Sequence, residues 1–230
     1  MSRGAALVTG AARRIGRTIA LTLADAGWDV AVHHRRSAAE AAEVVRAIEA
    51  TGRRATALAA DLTLEADTSE LVNRAAQALG PLTLLVNNAS VFDDDRLGTV
   101  TSDSWTAHME TNLRAPVMLT QAFAAALPAD DEGCVVNILD QRVRRLNPQF
   151  FSYTLSKAAL WAATQTMAQA LAPRIRVNGV GPGPTLASVH QGGGEFEAEA
   201  AGVPLQRHVT PEEIAALPES ITGRYLAGKL

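Results

Sequence analysis

Tyr153 and Lys157 stand four apart in "YTLSK", a spacing that on a helix puts a phenol and an ammonium on one face. An ammonium beside a phenol stabilises the phenolate. The pair therefore predicts a tyrosine drawn below its ordinary pKa of about 10, toward a range useful for donating a proton. Thirteen positions earlier, "NILDQ" closes an apolar run on Asp140. Tyr-x-x-x-Lys is frequent by chance, so its meaning rests on what else the chain carries.

Near the N-terminus, "TGAARRIG" (Thr9 to Gly16) follows an apolar run, Ala5 to Val8, and opens a helical stretch. Backbone N–H groups at such a helix start, with the helix dipole, suit a diphosphate. Gly10, Arg13, Arg14, Ile15 and Gly16 are the candidate residues of this loop, and Arg14 stands where a second close-approach glycine is expected. After the next apolar run comes "HHRRS", with His34, Arg35, Arg36 and Ser37. An Asp or Glu holding a free ribose 2′-hydroxyl is expected there, and none is present. Cations with a hydroxyl suit a 2′-phosphate through charge-assisted, bidentate hydrogen bonds, which favours NADPH over NADH. Asp61-Leu62 and "NNAS" (Asn87 to Ser90) end two further runs. They fit either the lining of an adenine and ribose or ordinary turn chemistry.

The elements that must position these groups are legible as an alternation. Strand-length runs "AALV", "DVAVH", "ATALAA" and "LTLLVN" are followed by helical stretches over 14–26, 38–50, 64–79 and 105–127. "CVVNIL", a helix from Ser152 to Leu171 and "IRVNGV" continue the series. Strands apolar throughout, each followed by a helix, predict a parallel sheet covered on both faces: a doubly wound α/β Rossmann fold in a single domain over 1–230. Gly27, Gly52 and Gly80 each close a helical stretch. In such a sheet ligands bind beyond the C-terminal strand ends, so each strand end is a place to look for chemistry.

Composition narrows the partners. Hydrophobic residues make up 47% of the 230, enough for one buried core, and net charge is −3 with a pI of about 6.0. No nucleic acid or membrane surface is expected as a partner, and "MSRGAALVTG" reads straight into a strand instead of a signal sequence, which predicts a cytoplasmic protein. The lone Cys134 reads as a buried strand thiol, and the five histidines form no ligand pair, so no metal is expected. "DDD" at 93–95 and "DDE" at 130–132 read as solvated loop charges. "QGGGEFEAEAAG" (Gln191 to Gly202) reads as a lid or a plain surface loop, within a substrate loop spanning about 184–210.

In order and spacing, "TGAARRIG", "NNAS", Asn112 in "METNL", "YTLSK" and "RVNGVGPG" resemble the short-chain dehydrogenase/reductase family over nearly the whole chain. The resemblance implies NAD(P)-dependent hydride transfer, with Tyr153 as general acid, Lys157 binding the nicotinamide ribose and Asn112 supporting a proton-relay water. It further implies cofactor contacts from Asn88, Ala89 and Ser90, from Pro182, Gly183 and Thr185, and assembly as a homotetramer or homodimer. Asp140 replaces the family's usual catalytic serine, Arg14 its middle glycine, and Phe92 follows "NNASV". These departures resemble the pteridine reductase branch. That implies a pterin or dihydrofolate-type substrate contacted by Arg14, Ser90, Phe92, Asp140 and Tyr153, with Phe92 stacked on its ring. Reducing a pterin adds hydride to a C=N carbon and a proton to nitrogen, so a carboxyl beside the tyrosine is a second proton-handling group. Two other readings are a reductase of another carbonyl or imine and, less in keeping with Tyr153, Lys157 and Asn112, a non-catalytic NADP(H)-binding regulator. The C-terminal stretch is atypically short for the family: Pro218 interrupts the expected last helix, and the chain ends soon after "ITGRYLAG".

Overall fold

The computed structural model describes residues 3–187 and 194–215. Six strands form one parallel sheet: β1 (Ala5–Val8), β2 (Asp29–His34), β3 (Ala55–Ala59), β4 (Leu82–Asn87), β5 (Gly133–Ile138) and β6 (Ile175–Val180), in the order β3-β2-β1-β4-β5-β6. Between them run α1 (Arg14–Asp25), α2 (Ala38–Glu49), α3 (Glu65–Leu79), α4 (Ser102–Met109), α5 (Ala115–Ala126) and α6 (Phe151–Leu171). Two short helices follow β6: α7 (Glu195–Ala201) and α8 (Pro211–Ala215). The expected doubly wound fold is present. The strand order reverses between β1 and β4, which fixes where a crevice opens at the C-terminal edge.

Alternation along each strand feeds two cores. Leu7, Ala31, Leu85, Val135 and Val177 pack with α3, α5 and α6 on one face, around Leu71, Leu119 and Phe123. Ala6, Val8, Val30, Val32, Val86 and Val136 pack with α1 and α2 on the other, around Ile19, Val44 and Ile48. Burying each of the larger side chains contributes about 1.5–3 kcal/mol, so a strand apolar at every position is stabilised from both sides.

Two expectations are corrected. The helix expected over 105–127 begins instead at Ser102, because Thr101 and Ser104 form a reciprocal capping box. It is then interrupted by a π-helical turn, Glu110–Arg114, before α5. Pro116, near the head of α5, has no N–H for the helical ladder, and in the turn the Ala115 N–H reaches back to the Glu110 carbonyl. Asp95 is not a solvated loop charge. It is 4% exposed, with its carboxylate receiving the Ser152 N–H at 2.9 Å and the Ser104 hydroxyl at 2.8 Å. Residues 188–193 of the expected substrate loop, and the C-terminal stretch over 216–230, lie outside the described residues.

Candidate active site

A cleft of about 510 Å³ opens over the C-terminal ends of the strands. Its floor is a backbone knot between β1 and β4. The Thr9 hydroxyl accepts the N–H groups of Asn88 and Ala89 at 2.9 and 3.0 Å and donates to the Val86 carbonyl at 3.3 Å. The Asn88 amide returns to the Thr9 and Gly10 carbonyls at 2.9 and 3.2 Å. Gly16 is required by this packing, because a Cβ there would collide with the Gly10 carbonyl and the Asn88 amide. Arg14 keeps the conformation of the missing glycine, with φ +53°, and sends its guanidinium across the cleft to the carbonyls of Leu186 and Ala187, both at 3.1 Å.

At one end the cleft is cationic. Arg13 and Arg35 line it, Arg13 paired with Glu40 and Arg35 with Asp61 at 2.8 Å. Burial alone would raise the Asp61 carboxyl, but hydrogen bonds from Thr63 and the Arg35 charge outweigh it and hold it below its ordinary pKa. Gly10, Ile15, Leu62, Ala89 and Ser90 also line the cleft. His34, Arg36 and Ser37 do not. Strand alternation turns His34 to the α1–α2 face with Val30 and Val32, and Arg36 lies exposed beyond the strand end. The residue that does line it is His33, which the sequence reading passed over. Its Nδ1 accepts the Gly10 N–H at 3.0 Å and its Nε2 donates to the Ala60 carbonyl at 3.1 Å, tying the loops after β1 and β3 together. Burial lowers its pKa to about 4, in keeping with the neutral ring these two contacts require.

At the other end the Tyr153 hydroxyl donates to Asp140 Oδ2 at 2.8 Å. Asp140 ends the segment after β5 and caps a 3₁₀ turn, Gln141–Val143, its Oδ1 accepting the Arg142 N–H at 2.8 Å. Lys157 is 2% exposed and donates to the Ile138 carbonyl at 2.7 Å. Its ammonium lies 5.8 Å from the centre of the Tyr153 ring, and burial lowers its pKa to about 8. The expected lowering of the Tyr153 pKa is not what this arrangement produces. Burial and the Asp140 carboxylate raise it well above its ordinary value, so the phenol is held protonated and hydrogen-bonded. Asn112 sits in the π-helical turn, 1% exposed and outside the cleft lining. Its Oδ1 accepts the Val91 N–H at 2.8 Å and its amide donates to the Val91 carbonyl at 3.0 Å and to Ser156 at 3.1 Å. These contacts clamp the loop that carries Phe92.

Phe92 does not present two free faces. Phe150 lies flat on it, centroids 4.1 Å apart and planes 10° apart, and Tyr153 meets its edge at 4.6 Å. Phe150 has φ +51°, a left-handed conformation rare for a bulky residue, and its neighbour Ser152 is held by Asp95. Beyond β6, Pro182, Gly183 and Thr185 line the cleft, the Thr185 hydroxyl turned back to the Gly183 carbonyl at 2.9 Å. Phe196 and Glu199 of α7 and Arg142 complete the wall. Phe196 and Glu199 fall in the stretch expected as a lid or a plain surface loop, whereas Arg142 was missed: nothing in its sequence neighbourhood marks it, and only folding turns it inward.

The short chain dehydrogenase family model matches residues 4–197. The chain belongs to this family. Among solved structures, FolM alternative dihydrofolate reductase 1 from Brucella canis, complexed with NADP, is 48% identical, covering 97% of this chain and 87% of that one with a TM-score of 0.90. A short chain dehydrogenase from Burkholderia cenocepacia J2315, in complex with NADP, is 38% identical over 95% of this chain and 91% of that one, TM-score 0.88. The 3-oxoacyl-[acyl-carrier-protein] reductase FabG of Staphylococcus epidermidis is 34% identical over 77% of this chain and 73% of its own length. Among the described residues no helix is long and apolar enough to cross a membrane.

Proposed function

We propose that this protein is an NADPH-dependent reductase acting on a C=N bond of a pterin or dihydrofolate-type substrate, with Tyr153 and Asp140 supplying the proton. The observation that carries this reading is the 2.8 Å hydrogen bond between the Tyr153 phenol and Asp140, a carboxyl where the family's usual pattern has a serine. The likeness to the Brucella canis and Brucella suis FolM structures, at 48% and 47% identity, supports the substrate class.

The residues present fit the cofactor. Gly10 and Gly16 keep the β1 loop free of side chains against the diphosphate, Arg13 and Arg35 supply cations for a 2′-phosphate, and Lys157 and the 182–185 segment flank the reacting end. Bound there, NADPH supplies the hydride. A phenol kept protonated can pass to the substrate nitrogen the one O–H hydrogen that it otherwise donates to Asp140. Phe92 can stack on a flat ring through the face that Phe150 gives up by moving aside. Assembly as a homodimer or homotetramer is part of the same reading, with α4 and α6 as the candidate faces.

The test is NADPH oxidation with dihydrobiopterin, dihydrofolate and a panel of ketones. Turnover of the two pterins is expected; turnover of ketones alone would overturn the pterin reading in favour of the carbonyl reductase that the FabG relative exemplifies.

A further inference from the structure

Arg142 has so far been only part of a wall, yet it is the most deeply placed cation beside the Asp140–Tyr153 pair apart from Lys157. Its side chain is 8% exposed. Nη1 lies 3.6 Å from Asp140 Oδ1 and Nη2 lies 3.5 Å from Glu199 Oε1, ion-pair distances that are long for hydrogen bonds. Its Nε is buried without a hydrogen-bond partner. The guanidinium carbon sits 5.5 and 5.2 Å from the ring centres of Phe92 and Phe150, so aromatic packing fixes its position. A guanidinium stripped of water is tolerated only beside compensating charge, and here that charge is two carboxylates on different elements. Glu199 reaches in from α7, and its Oε1 also accepts the Gln141 side chain at 3.0 Å.

We propose that Arg142 is a positioning residue for the Asp140–Tyr153 pair, a buried counter-charge whose action on that pair is divided with Glu199 of α7. The inference rests on reading the pair as the proton-delivering group. The charged and titratable groups facing Tyr153 are Asp140 and Arg142 from the segment after β5, Glu199 from α7, Lys157 on its own helix and the His108 ring of α4 at 6.0 Å. After burial, Asp140 and Glu199 raise the phenol's pKa and Arg142 opposes them. Removing a cation and removing an anion from this cluster must therefore move its protonation in opposite directions, a pattern that loss of packing would not produce.

The experiment uses the full chain with Arg142→Met, Arg142→Lys and Glu199→Gln. Arg142→Met is expected to lower kcat at least tenfold, leave KM for NADPH within about twofold, and displace the midpoint of the pH profile upward by about one pH unit. Arg142→Lys restores most of the midpoint, and Glu199→Gln displaces it downward by a few tenths. The phenol is followed without substrate by ¹³C NMR of labelled tyrosine, with Tyr153 assigned by its loss in Tyr153→Phe. Opposite displacements in the NMR titration with no pterin turnover would reject the proposed function and uphold Arg142. Displacements that are absent or of the same sign would overturn the role of Arg142 whatever the substrate.

Discussion

Replacing Lys157 by Met separates what the site needs from what the fold prefers. The Lys157 ammonium is 2% exposed, and burial moves its pKa from the ordinary 10.5 to about 8. That displacement corresponds to about 3 kcal/mol of unfavourable free energy carried by the protonated form in the folded protein. The sign follows from linkage: a lysine whose folded pKa is depressed weakens the fold fully below about 8, and the penalty fades as pH rises from 8 toward 10.5, where the unfolded chain also loses the proton. Met fills a similar volume without charge, but it leaves the Ile138 carbonyl without its donor, a loss of about 1 kcal/mol. The net expectation is a gain of about 2 kcal/mol at pH 7, together with loss of turnover. Urea denaturation of both proteins at pH 7 and at pH 10 measures it, since groups common to both cancel in the difference. A variant less stable than wild type at pH 7, or an advantage of the same size at both pH values, would refute the reasoning.

Tyr153→Phe removes the hydroxyl that donates to Asp140 and should lower turnover by about 10²–10⁴-fold while leaving NADPH affinity, followed by fluorescence titration, nearly unchanged. Arg35→Asp should weaken NADPH at least tenfold more than NADH, because Arg35 lines the cationic end of the cleft, whereas Arg36→Asp should do much less; equal loss of both cofactors in Arg35→Asp would count against a 2′-phosphate site. His33, lowered to about 4 by burial, is held neutral in the fold, so its contribution to stability is lost as pH falls from 6.5 toward 4. His33→Asn should flatten acid unfolding over that interval, as followed by circular dichroism.

The sheet was legible because its strands are mostly apolar on both faces, a pattern that two-sided burial rewards, and the β1, β4 and β6 boundaries fall where the runs end. Asp140, Tyr153 and Lys157 were legible because strand end and helix face place them irrespective of packing detail. What escaped depended on contacts between distant segments. His33 and His34 are equivalent as text, and only strand alternation decides which one meets Gly10. The Tyr153 pKa was misjudged because spacing records the ammonium four residues away but neither the burial nor the carboxylate accepting the phenol's hydrogen bond. The π-helical turn and the buried Asp95 were hidden for the same reason, since the groups that use them lie on other elements.

Arg14 shows how a binding loop can be held away from its most relaxed sequence. A left-handed backbone at a non-glycine residue costs about 1 kcal/mol, so Arg14→Gly would ease the loop while releasing Leu186 and Ala187 from the far bank of the cleft. The arginine thus ties the two banks of the cleft together through a strained backbone, a bridge that a glycine, with no side chain, could not make.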